Sequence, residues 1–256
     1  MLTPELERLA QTPTLLVALD FDGTLAPLVD VPSDSRMTPA AREAIDRLAA
    51  LPQTHVALVS GRMLGDLRLV SEAAPDSAIL LAGSHGAEFD LPPGHAPIPA
   101  RVPSGQVAVR TREVETALAG LDGVWVEHKP FGFVGLTRLA NEDNPALAGE
   151  ILDRFASEHL AGWRARGGHD VSEFSERAEG KDGAVRALRS AVHATAVLFA
   201  GDDETDEDAL AALAANDVGV RVGGGVTSAS FRVANAHEMA EVLAQLADAR
   251  TNFRSA

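Results

Sequence analysis

Asp20 and Asp22 stand one residue apart in Val17-Ala18-Leu19-Asp20-Phe21-Asp22-Gly23-Thr24, where an apolar run gives way to a glycine. Two carboxylates this close require a cation to hold them or a proton to share. A second acidic run, Gly201-Asp202-Asp203-Glu204-Thr205-Asp206-Glu207-Asp208, also follows an apolar stretch directly. It does not fit a calcium loop, because Glu207 occupies the sharp-turn glycine position and no glutamate follows at the required distance. Asp20 and Asp202 together suit magnesium, which takes a few carboxylates, a substrate phosphate and retained waters. The same acids also complement a helix dipole. Ser60 in Val59-Ser60-Gly61-Arg62 is either a helix N-cap or a hydroxyl donor to a phosphate oxygen. Lys181 is either a solvated lysine or a point charge for an anion at a helix start.

What decides between these readings is the set of elements that must carry the residues. Leu15 to Leu19, His55 to Val59, Ala78 to Ala82 and Ala194 to Ala200 read as buried strands. Helices are expected after Thr38-Pro39, an N-cap followed by proline at the first helical position, and over Leu64 to Val70 and Gly180 to Val192. Strands alternating with helices specify a doubly wound, Rossmann-like parallel sheet, an α/β fold. Each polar cluster follows its strand, so all are expected at the carboxyl edge, where such sheets bind ligands. The chain is expected to turn around Phe21 to Gly23.

The proline-rich stretch Leu91 to Pro103 interrupts this pattern. Beyond it come a helix to about Leu121, a hairpin of Val124 to His128 with Phe131 to Leu139, a helix over Pro145 to Leu160, and strands near Trp163 and Val171 to Phe174. These describe an inserted smaller α+β cap domain, residues 103–176, within a core of residues 1–102 and 177–256. Val218 to Val222 is a short strand, Gly223 to Gly225 a turn, and His237 to Ala249 a closing helix.

Composition narrows the function. A net charge of −15 opposes nucleic acid and other polyanions, and 4% aromatic content leaves no stacking surface for bases. No cysteine means no disulfide or thiolate metal site. With no apolar run of spanning length and no signal-like start, a cytoplasmic protein without membrane association is expected, and a monomer.

The ordered set Asp-Phe-Asp-Gly-Thr, Ser60, Lys181 and Gly201-Asp202-Asp203 resembles the haloacid dehalogenase superfamily of phosphatases. Val59-Ser60-Gly61-Arg62, Gly83-Ser84-His85-Gly86-Ala87-Glu88, Val126-Glu127-His128-Lys129 and the Gly201 to Glu207 run are similar to the trehalose-6-phosphate phosphatase family, over roughly Leu15 to Leu246. The resemblance implies Asp20 as nucleophile, Asp22 as general acid and base, and Ser60 and Lys181 on the transferring phosphoryl oxygens. It implies Mg2+ on Asp20, the Asp22 main-chain carbonyl and Asp202, with Asp203 and Asp206 in support. Arg62, His85, Gly86, Glu127, Lys129, Arg138 and Glu173 are then the substrate ligands, and a sugar phosphate the partner. The sequence departs from the family pattern in three places: Leu136-Thr137 before Arg138, His169 where lysine is common, and Asp182 after Lys181. A phosphatase for sucrose or mannosylglycerate phosphates, or a non-catalytic binding protein, are the competing readings.

Overall fold

The computed structural model describes residues 3–99, 102–141, 143–168, 170–177 and 180–255. The chain divides into two compact units, Met1–Ala100 with Glu179–Ala256, and Arg101–Ala178.

In the first unit the helices are α1 (Pro4–Gln11), α2 (Pro39–Ala49), α3 (Leu64–Ser71), α6 (Lys181–Ala191), α7 (Glu204–Ala211) and α8 (Ala236–Ser255). Its strands are β1 (Leu15–Leu19), β2 (Thr54–Val59), β3 (Leu80–Gly83), β4 (Glu88–Asp90), β9 (Ala196–Gly201), β10 (Val218–Val222) and β11 (Phe231–Val233). They form one seven-stranded sheet in the order β11-β10-β9-β1-β2-β3-β4. Every neighbouring pair is parallel except β3 and β4. This is the doubly wound α/β core that the alternating pattern predicts.

The central strand shows why an unbroken apolar run was needed. Leu15, Val17 and Leu19 face one layer with Ile45, Leu48, Met239 and Leu243 of α2 and α8, while Leu16 and Ala18 face the other with Ala184 and Leu188 of α6. A strand covered on both sides has no polar face. β1 pairs with β2 on one side and β9 on the other, so the strand ahead of Asp20 lies at the sheet's middle.

The second unit holds α4 (Gly105–Leu118), β5 (Trp125–Lys129), β6 (Gly132–Leu136), α5 (Asn144–His159), β7 (Arg164–Gly168) and β8 (Val171–Ser175). Its antiparallel sheet runs β5-β6-β8-β7. Phe133 and Phe174 pack with Val114, Leu118, Leu152 and Phe155 of the two helices. The pairs Glu127↔Val134, Val134↔Glu173 and Arg166↔Glu173 form one cross-strand row, alternate to the Phe133↔Phe174 row and therefore on the opposite face.

Among the described residues no helix is long and apolar enough to cross a membrane. Several elements differ from the sequence expectation. The acidic run after β9 is itself the start of a helix: Asp203 caps α7 and Glu204 to Glu207 form its first turn. Two three-residue strands, β4 and β11, carry too short a pattern to show alternation. The expected strand over Phe131 to Leu139 ends at Leu136, with a turn closed by the Ala140 amide on the Thr137 carbonyl.

Candidate active site

β1 stops at Leu19 because the next residues fold back on themselves. The Leu25 and Ala26 amides both donate to the Phe21 carbonyl, and the Gly23 amide donates to Ala26. Gly23 has φ +78°, and a Cβ there would overlap the Asp202 carboxylate. Only glycine combines that backbone conformation with so close an approach. The turn thereby brings the end of β9 against the end of β1.

Lys181 closes the arrangement from α6. It is 2% exposed, with Nζ 2.6 Å from Asp20 Oδ1 and 2.7 Å from Asp206 Oδ1. Asp206 is fixed from its other oxygen, Oδ2, which accepts the Asp202 and Asp203 amides at 3.0 Å each. Asp203 and Asp206 form a reciprocal capping box at the start of α7. The acids serve the helix dipole and the cluster at once.

One ammonium does not balance the carboxylates around it. Burial pushes Asp20 up to about 7 despite Lys181, with Asp202 pushing the same way. Burial and Asp206 push Asp202 up to about 6, and its carboxyl hydrogen-bonds Asp20. Lys181 is held above its ordinary value: burial opposes its charge, but Asp20 and Asp206 outweigh it. Asp20, Asp202 and Asp206 each offer an oxygen within 4.8 Å of the others, so this hard-oxygen set could hold a metal ion. Since both Asp206 oxygens are already occupied, Asp20 and Asp202 are the better donors to a cation.

At the end of β2, Ser60 is buried and its Oγ accepts the Arg62 amide at 3.1 Å. It does not cap α3; Glu88 does, accepting the Leu64 amide at 3.2 Å. Glu88 also accepts the Ser84 hydroxyl at 2.6 Å. Ser84, His85 and Gly86 all have positive φ, and the tight turn they make donates from Ser84 N to the Arg62 carbonyl and from His85 N to the Ser60 carbonyl. The His85 ring lies against Gly61, and Gly86 lies against Ala184 of α6. This turn therefore braces both the Ser60 loop and the helix that carries Lys181.

Arg62 does not stand alone at the rim. It forms a two-point ion pair with Asp22, Nε to Oδ2 at 2.6 Å and Nη2 to Oδ1 at 2.7 Å. Ser35, fully buried, adds its hydroxyl to Asp22 Oδ1 at 2.7 Å. Ser35 lies just past a 3-10 turn at Pro32–Asp34, in a loop whose sequence carries no motif. No periodicity or spacing marked it. Arg221 was also missed; it binds the Asp203 carbonyl at 2.7 Å and Glu207 at 3.1 Å, bracing the acidic helix start.

In the second unit, Glu127 and Lys129 lie on the same face of β5 and pair at 2.6 Å, and Glu173 shares the row of Glu127. Arg138 lies beyond β6 in an exposed turn, outside that row. His169 lies outside the described residues.

A trehalose-phosphatase family model matches residues 18–235. The chain is 33% identical over 250 residues to a trehalose-phosphate phosphatase of Mycobacterium marinum, covering 92% of this chain and 62% of that one. It is 32% identical over 258 residues to an uncharacterized glycosyl hydrolase of Mycobacterium tuberculosis, covering 95% of this chain and 19% of that one. The chain thus spans about three fifths or less of the length of these curated relatives. Among solved structures, the C-terminal domain of C. albicans trehalose-6-phosphate phosphatase superposes with TM-score 0.78 at 18% identity, covering 95% of each chain.

Proposed function

We propose, because the chain belongs to the trehalose-phosphatase family, that it is a magnesium-dependent phosphatase converting trehalose 6-phosphate to trehalose and phosphate. The observation that carries this reading is the buried Lys181–Asp20 contact beside Asp202, at the carboxyl edge of the sheet. A carboxylate kept close to one cation and short of full charge compensation suits attack on a phosphorus bound beside a second cation.

In the first step an oxygen of Asp20 attacks phosphorus, and the bond from phosphorus to the sugar oxygen breaks. Asp22 gives that oxygen its proton. In the second step Asp22 takes a proton from the water that attacks phosphorus, the aspartyl-phosphate bond breaks, and Asp20 returns as a carboxylate. Acid–base assistance of this kind contributes ~10²–10⁴-fold. Lys181 has three protons on Nζ; Asp20 and Asp206 take two, which leaves one for a phosphoryl oxygen. Ser60 offers a hydroxyl proton to another.

Asp20, Asp202 and the Asp22 main-chain carbonyl are the proposed magnesium ligands. The ion, when bound, offsets the repulsion between carboxylate and phosphate. Glu127, Lys129 and Glu173, with Arg138, are the proposed selectors of the sugar hydroxyls.

Phosphate release from trehalose 6-phosphate, sucrose 6-phosphate and mannosylglycerate phosphate, each with and without magnesium, tests the assignment. Trehalose 6-phosphate should be hydrolysed fastest, chelator should abolish turnover, and Asp20→Asn should lower kcat by at least ~10³-fold. Preference for another sugar corrects the substrate. Full activity of Asp20→Asn removes the mechanism.

A further inference from the structure

Both side-chain oxygens of Asp22 are held by protein donors. We infer that Arg62, helped by Ser35, is a positioning residue for the acid–base carboxylate of Asp22 rather than a ligand of the substrate. The inference rests on the phosphatase reading above and assigns a role within it.

Two parallel N–H···O contacts from a planar guanidinium fix both the place and the plane of a carboxylate, which one ammonium contact cannot do. Here Arg62 reaches both oxygens, at 2.6 and 2.7 Å. Ser35 Oγ donates to Oδ1 at 2.7 Å, so Oδ1 accepts two donors and Oδ2 one. A carboxylate oxygen has room for about two hydrogen bonds. Oδ2 is therefore the oxygen with a lone pair left to exchange a proton with the leaving group or with water.

The two donors are themselves held. The Arg62 amide donates to Ser60 Oγ at 3.1 Å, and its carbonyl accepts the Ser84 amide at 2.6 Å. Thus the three-residue turn Ser60-Gly61-Arg62 would bind a phosphoryl oxygen at one end and orient the acid–base group at the other. Ser35 is fixed by Arg36, whose Nη1 donates to the Ser33 and Ser35 carbonyls at 2.8 and 2.7 Å and whose Nε pairs with Glu72 at 3.3 Å. With both oxygens of Asp22 on its fork, Arg62 commits its Nε proton and one Nη2 proton to protein.

The test is leaving-group dependence. kcat/KM is measured with magnesium for phenyl phosphates bearing phenols of graded acidity and for a simple alkyl phosphate, in wild type, Arg62→Ala, Arg62→Lys and Ser35→Ala. A poor leaving group needs the proton from Asp22; an acidic phenol does not. The loss in Arg62→Ala should therefore grow by about thirtyfold from the most acidic phenol to the alkyl ester, a portion of the ~10²–10⁴ that acid–base assistance supplies. Ser35→Ala should steepen the dependence in the same direction by a few-fold, and it serves alone if Arg62→Ala does not fold. Arg62→Lys should fall between wild type and Arg62→Ala. Acid quench during turnover of the most activated ester should show more phosphate on Asp20 in Arg62→Ala, since water attack also needs an oriented Asp22. Parallel losses across the series, with no added phosphoenzyme, would mean that Arg62 acts on the phosphoryl group or on the fold, and the inference falls while the phosphatase reading stands. Trehalose 6-phosphate closes the series as a poor leaving group, and a wild type that hydrolyses neither it nor any other member overturns both.

Discussion

Asp20 sits 4% exposed with one ammonium shared between its carboxylate and that of Asp206, and this imbalance has a consequence for stability. Its pKa is pushed up to about 7 by burial, and that of Asp202 up to about 6. A carboxyl with a raised native pKa keeps its proton where the unfolded chain has lost it. The native state then binds more protons from about pH 4 upward, so stability falls as pH rises through that window to about 7. In the metal-free protein Asp20→Asn should therefore melt higher than wild type at pH 7.5, by about 5 °C on the size scaling of Tm. The gap should close at pH 4.5. Magnesium should raise the wild-type Tm more at pH 7.5 than at pH 5, because proton and cation compete for the same oxygens. Differential scanning calorimetry with and without chelator reads all three. An Asp20→Asn variant less stable than wild type at pH 7.5 without metal would show that Lys181 fully compensates the charge.

Among the elements, the turn at Ser84 to Gly86 has the most to hold in place, and it can be tested through its glycine. Gly86 has φ +86°, and a Cβ there would crowd the Cβ of Ala184 on α6. Gly94 has φ +93° with nothing within 4 Å of such a Cβ. Gly94→Ala should cost only the backbone term, about 1–2 kcal/mol. Gly86→Ala adds overpacking of about 1–3 kcal/mol, and should also lower kcat by displacing α6 and Lys181. Urea titration of both variants separates the terms; equal losses with unchanged kcat would deny the turn its bracing role. The elements differ in how far the sequence announces them. Covered on both faces, β1, β2 and β9 need continuous apolar runs, and these are plain in the chain. β4 and β11 are three residues each, too short for any pattern. The start of α7 hides behind its function, because Asp203 to Glu207 serve as cap, first turn and charge cluster together. Lys181 and Asp202 could be singled out by what precedes or follows them. Ser35 could not, since its loop is shaped by contacts with Arg36 and Asp22 that lie outside any local rule.

At the scale of the whole molecule, the first unit is assembled from both ends of the chain, with β1 between β2 and β9 and α2 against α8. Arg250 near the end of α8 ties these distant pieces. It is fully buried, and its Nε donates to Thr54 Oγ1 at 2.6 Å where β2 begins. Its Nη1 donates to the carbonyls of Ala10 at 3.1 Å and Thr12 at 2.9 Å, and Nη2 to Gln53 at 2.7 Å. Ala10 lies in the last turn of α1 and Thr12 just past it, where carbonyls have no partner four residues on, so Arg250 satisfies groups that burial would otherwise leave unpaired. A reader of the sequence has one clue: Met239, Leu243 and Leu246 mark the buried stripe of α8, and Arg250 continues it four residues on. A charge on an apolar stripe signals either a surface edge or a polar hub, and only the fold distinguishes them. Arg250→Met keeps the length and apolar stem but strands several carbonyls, each costing about 1–3 kcal/mol when buried and unpaired. The expected loss is about 3–5 kcal/mol in all, allowing for partial rescue by water. Both tryptophans, Trp125 and Trp163, lie in the second unit, so their fluorescence follows that unit. Six of the eight described α-helices belong to the first, and far-UV circular dichroism in urea is the probe that reads the loss. Arg250→Lys should recover only part of it, because three protons on one nitrogen cannot reach carbonyls spread around a planar fork. A circular dichroism midpoint for Arg250→Met that corresponds to less than about 1 kcal/mol of destabilisation, the net value of a single hydrogen bond, would mean that the two ends of the chain are held by the sheet and the α2–α8 packing alone.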